Sequence, residues 1–216
     1  MEKKEAFIYK DERYILLLKE KEYIFNPEIF GLAPIWKQTA QYEYAGTYEV
    51  KDYKLRLQDF VIHSDSSYPV IQNIEPVPVN HTEEKTYVSY QGLFYPIFYT
   101  GAVVIGRDFI ESYGYTEDFP CFCYGHVVEL IFENGNLITT IEHDKAMVRI
   151  RKNIEKGLRD LNKGKDARCI QTFMKSSFVG KYRDSMLKRG WKLTRSNIKK
   201  IFEGTGNNKL EKGNKA

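Results

Sequence analysis

Asn134–Gly135 constrains this chain more than any other pair of residues, because two arms of alternating side chains flank it. A two-residue type I′ turn needs positive φ at both positions, and Asn followed by Gly meets that need with little strain. The segment CFCYGHVVELIFENGNLITTIEH, residues 121–143, is therefore predicted to be a β-hairpin. Pairing about the turn sets Phe132 opposite Leu137, Leu130 opposite Thr139, Val128 opposite Ile141 and His126 opposite His143. Even-numbered positions then form an apolar face, while Glu129, Glu133, Asn136 and Thr140 fall on a mostly polar one.

The same period of two recurs earlier in the chain. AFIY (6–9) and RYILLL (13–18) read as strands around the turn KDE, and EYIFN (22–26) as a third strand. In TYEVKDYKLRLQDFVI, Tyr48, Val50, Leu55 and Leu57 alternate with polar residues across Lys51–Asp52–Tyr53–Lys54, which gives another hairpin. Residues 75–86 contain Pro76, Pro78 and Asn80 and read as loop. A strong strand is expected around Ile97–Ile105, broken or bulged at Gly101, and residues 111–120 read as an acidic loop.

At Asp144 both the period and the charge change. Residues 1–143 hold 12 Lys+Arg against 22 Asp+Glu, a net of −10; residues 144–216 hold 21 against 7, a net of +14. Asp144 reads as an N-cap, and Met147, Ile150, Ile154, Leu158 and Leu161 follow at helical spacing with basic residues between them. Further short helices are expected around Phe173, around Met186 and from Thr194 or Ser196 to Gly204. Residues 204–216 carry almost nothing apolar to fold around and are expected to be a disordered tail.

The expected fold class is thus α+β. An acidic, mostly antiparallel β domain, barrel- or sandwich-like, spans 1–143, and a basic helical appendage spans 144–203. Three cysteines do not suggest a disulfide framework, MEKKEAF lacks the apolar core of a secretory signal, and no apolar run reaches membrane length. A cytoplasmic protein with no membrane contact is the resulting expectation.

Two groups of residues are candidate sites. Cys121, Cys123, His126 and His143 supply four nitrogen and sulfur ligands, the number a structural zinc takes, provided that a bulge at Gly125 turns the cysteines toward the histidines. The same residues can be read as a nucleophile and base with Asp144 orienting His143, or as small apolar cysteines beside a histidine pair at the edge of the core. The second group is Lys181, Arg183, Lys188, Arg189, Trp191, Lys192, Arg195, Lys199 and Lys200, whose charge suits phosphates or an acidic partner. Packing of this basic segment on the acidic β domain of the same chain is the other reading. No phosphate-binding glycine loop is present, and no cofactor is implied.

The hairpin AGTYEVKDYKLRLQD, the strand FYTGAVVIG and the hairpin CYGHVVELIFENGNLI occur in that order. Together they resemble a family of small uncharacterised bacterial proteins with a GTWEIKDGKLYL-like hairpin, a (W/F)xGxLxIxxG-like strand and a Y…LxLxIxNGxV-like hairpin. The resemblance covers roughly residues 40–140, with Tyr48 where the family usually has Trp. It implies a binding or immunity-type protein of the kind encoded near bacterial toxins, and it implies no catalytic residues. The function expected is that of an interaction protein with a protein partner, such as a cationic toxin, rather than an enzyme. Nucleic-acid binding through residues 144–203 is the alternative.

Overall fold

The computed structural model describes residues 4–33, 44–64, 67–82, 85–113 and 121–155. Ten strands form one mixed sheet: β1 (Ala6–Tyr9), β2 (Glu12–Lys19), β3 (Tyr44–Lys51), β4 (Lys54–Ile62), β5 (Val77–Thr82), β6 (Lys85–Tyr90), β7 (Tyr95–Pro96), β8 (Gly101–Phe109), β9 (Tyr124–Glu133) and β10 (Asn136–Glu142). One helix, α1 (Asp144–Glu155), follows at once. Neighbours run in the order β10-β9-β8-β2-β1-β3-β4-β6-β5, and β10 meets β4 again at Asn136 and Lys54. Seven strands are thereby closed into a ring, with β6 and β5 continuing beyond it. All pairs are antiparallel except β1–β3.

Three of the hairpins turn on two described residues. Lys10–Asp11, Asp52–Tyr53 and Asn134–Gly135 all have positive φ at both positions, as type I′ turns require. Gly135 is required twice over. Its φ is +76°, and a Cβ there would run into the Ile97 carbonyl oxygen. This close approach lets the turn join the ring: Gly135 donates to the Tyr99 carbonyl and accepts from Leu55 N–H, both at 2.8 Å, and Leu137 N–H donates to the Tyr53 carbonyl at 2.7 Å.

The ring encloses an aromatic-rich core that includes Phe7, Tyr48, Leu57, Phe60, Tyr90, Leu130 and Phe132. Phe60 and Tyr90 stack with centroids 4.9 Å apart. Tyr48, beside Phe7, is fully buried, and its hydroxyl donates to Glu5 Oε1 at 2.8 Å, so its polar tip is satisfied. Burial, with Glu5 adding to it, holds the Tyr48 phenol well above its usual pKa.

Several expectations change. Residues 22–26 form no strand; Ile24 and Phe25 enter the core from irregular backbone, and a 3₁₀ turn follows at Pro27–Phe30. Residues 75–86 are not all loop, since β5 and β6 pair there. Among the described residues β5 has no neighbour but β6, so the N–H that Pro78 lacks is not needed on a second side. The register slips between Pro78 and Asn80. The strand expected around 97–105 begins only at Gly101, after the short β7.

The final hairpin is also corrected. Asn136 and Leu137 pair with Glu133 and Phe132 as expected, but a bulge at Ile138 shifts the rest by one. Thr139 lies opposite Ile131, Thr140 opposite Leu130, Ile141 opposite Glu129 and Glu142 opposite Val128. The odd face of β9 is not a solvent face either. Val127, Glu129 and Ile131 are buried, as are Ala146, Met147 and Ile150 of α1, which packs against β9. The basic half of the sequence therefore begins as a helix docked on the barrel. The further helices expected after it, and the expected tail at 204–216, lie outside the described residues. No described helix is long and apolar enough to cross a membrane.

Candidate functional site

The four residues expected to share a metal are placed in three different environments. Cys121 and Cys123 lie buried in a 3₁₀ turn, Cys121–Cys123, that leads into β9. His126 is half exposed and sits opposite Arg107 of β8, not opposite His143. The β8–β9 register runs without a slip through Gly125, so the bulge that would turn Cys123 toward the histidines is absent. His143 lies past the end of β10 and is buried. No group of three or more His, Cys, Asp or Glu side chains among the described residues is placed to hold a metal ion.

The orienting carboxylates differ from the expected ones as well. Asp144 holds His126, with Oδ2 at 2.8 Å from Nδ1, and its Oδ1 accepts Val127 N–H at 2.8 Å. It thus ties the start of α1 to β9 and is not a simple cap on its own helix. Glu129 holds His143, Oε2 to Nε2 at 3.0 Å, with both side chains almost fully buried. Arg151 reaches back from α1 and donates to the carbonyls of Phe122 and Tyr124 at 2.8 and 2.9 Å, which satisfies backbone oxygens of the cysteine turn. Burial pushes the Cys123 thiol up to about 12, although Arg151 pulls the other way. A thiol so raised stays protonated near neutral pH, whereas a nucleophilic cysteine needs the opposite shift. The Cys/His group is thus a polar seam that docks α1.

A groove that faces solvent lies at the other side of β10. Of about 740 Å³, it runs between β10 residues Leu137–Thr140 and the tips of the β1–β2 and β3–β4 hairpins. Tyr53 and Ile138 stand in its walls, 75% and 55% exposed. Lys10, Asp11, Asp52 and Tyr53 hold left-handed backbone at those tips, a conformation that costs a non-glycine residue about 1–2 kcal/mol. Non-glycine residues kept in that conformation gather at binding sites more often than elsewhere. Glu49 also lines the groove, and its Oε2 is shielded from water with no hydrogen-bond donor among the described residues.

Sequence reasoning missed this groove. A signal existed in Tyr53, a large aromatic at a turn position that glycine or asparagine usually fills. The free side of β10 depends on chain closure and has no local signature. The basic candidates Lys181, Arg183, Lys188, Arg189, Trp191, Lys192, Arg195, Lys199 and Lys200 lie outside the described residues. Compared with known protein families, with curated proteins and with solved structures, the chain finds no match in any of the three.

Proposed function

We propose that this chain is a non-enzymatic binding protein whose partner docks in the groove beside β10. The observation that carries the reading is the groove itself, walled by two strained hairpin tips and the exposed side chains of Tyr53 and Ile138. Aromatic anchors beside a half-buried strand are the usual material of protein interfaces. The candidate nucleophile and bases give further support, because hydrogen bonds and burial tie them into the docking of α1. The net charge of −10 over residues 1–143 favours a cationic partner, and a bacterial toxin neutralised by this protein is the form the reading takes.

Lys10 and Lys51 flank the groove and provide the test. Amine-reactive cross-linking in the cells that make the protein is expected to join a partner to these two lysines. Cross-links confined to other faces, or none to another protein, would count against the groove.

A second reading rests on the outer face of α1, where Lys145 and Lys152 are exposed. Continued through the basic residues up to 203, that face would bind nucleic acid. Binding of a DNA or RNA duplex should then weaken steeply with added salt. Equal binding by a chain ending at His143 would remove the assignment.

A further inference from the structure

Among the described residues two strands keep a side without a neighbour: β5, and β10 beyond its contact with β4. β5 carries Pro78, which leaves a gap in its row of donors and marks it as a blunted edge. β10 has no such guard. Past Asn136, which pairs with Lys54, its residues Leu137–Ile141 are uncharged and mostly β-branched, and none is proline. Such a run is the composition that accepts another strand.

The direction of its free groups follows from the ladder. His143 N–H donates to the Val127 carbonyl, so Ile141 and Thr139 also turn their backbone groups toward β9, while Thr140 turns its N–H and carbonyl the other way. Thr140 lines the groove. Glu49 lines it too, and its Oε2 has no hydrogen-bond donor among the described residues. A carboxylate oxygen in that position gains most from a cationic donor.

We propose that the groove takes an extended peptide segment bearing a lysine or arginine, which adds to β10 as a strand through Thr140 and sets its cation on Glu49. This rests on the binding-protein reading above and specifies how the partner is held. β-strand addition draws affinity from the main chain and specificity from side-chain positions, here a basic one.

The test uses the full chain and a capped synthetic peptide, Val-Thr-Lys-Val-Thr-Val, followed by NMR. The peptide is expected to shift the amides of residues 137–140. Replacing its lysine by norleucine should weaken binding about tenfold or more, the scale of one hydrogen bond to a charged group. Glu49→Gln in the protein should weaken the lysine peptide to the same degree and leave the norleucine peptide unchanged. A peptide N-methylated at alternate residues should not bind, and this control leaves the protein's own folding untouched. Equal binding by the methylated peptide, or no shift at 137–140 at millimolar peptide, overturns strand addition. So does a dimer in sedimentation with Thr140 at its interface. If cross-linking still places a partner at Lys10 and Lys51, the groove remains the docking site and only the strand geometry fails.

Discussion

The two arms of the last hairpin share a turn and a ladder, yet they live in different solvents. β9 is buried on both faces: Val128, Leu130 and Phe132 point into the barrel, and Val127, Glu129 and Ile131 lie on the side where α1 packs. β10 has no buried residue; its side chains alternate between half-buried and exposed. One arm therefore holds the fold together, and the other can be changed with little loss of stability. Evolution is free to use such an arm for recognition.

Substitutions at the inner face of β9 sharpen this contrast most. Phe132→Ala removes a ring that is 1% exposed and should destabilise the protein by about 3–5 kcal/mol, read as the shift in a urea midpoint. The outer face follows. Glu129→Ala takes away the carboxylate that His143 Nε2 meets in a buried site, and should destabilise by about 1–3 kcal/mol. Glu129→Gln, which can still accept a hydrogen bond, should cost less in the same urea titration.

The junction also carries a pH signature. Burial raises Cys123 from 9.0 and Tyr124 from 10.0, each to about 12. Between the ordinary and raised values the unfolded chain has released protons that the folded chain keeps. Stability from these groups is therefore complete below pH 9 and is lost as pH rises toward 12. Melting temperatures between pH 8 and 11 should fall on this account. Alkylation at pH 8 followed by peptide mapping should leave Cys121 and Cys123 unlabelled; rapid labelling of either would mean that the seam is open.

The smallest effect on stability is expected in β10. Ile138→Ser, at a side chain 55% exposed, should change stability by no more than about 0.5 kcal/mol. It should nevertheless weaken partner cross-linking at Lys10 and Lys51. A large loss of stability instead would place Ile138 in the structural arm and erase the distinction between the two.

Local chemistry made much of the fold legible. Asn134–Gly135, and the alternation of Tyr48, Val50, Leu55 and Leu57, marked two hairpins directly, because turn geometry and the period of two act over a few residues. What failed depended on distant partners. Pro78 argued against a strand, but a strand with one neighbour tolerates it. Glu129 read as part of a mostly polar face because nothing near it in sequence announced that α1 would cover β9. The bulge at Ile138 separated His126 from His143, and no turn rule encodes it. The candidate metal site failed for that reason and because the strand ran straight through Gly125. The groove escaped notice because it forms between three segments that lie about 40 to 130 residues apart.

Residue-resolved amide hydrogen exchange tests the asymmetry of the hairpin most directly. The amides of Leu130 and Phe132 should exchange only with global unfolding, whereas the outward N–H of Thr140 should exchange rapidly in the free protein and become protected once a partner is bound. Protection of Thr140 in the free protein equal to that of Leu130 would show that the β10 edge is already covered, and would contradict a groove open for recognition.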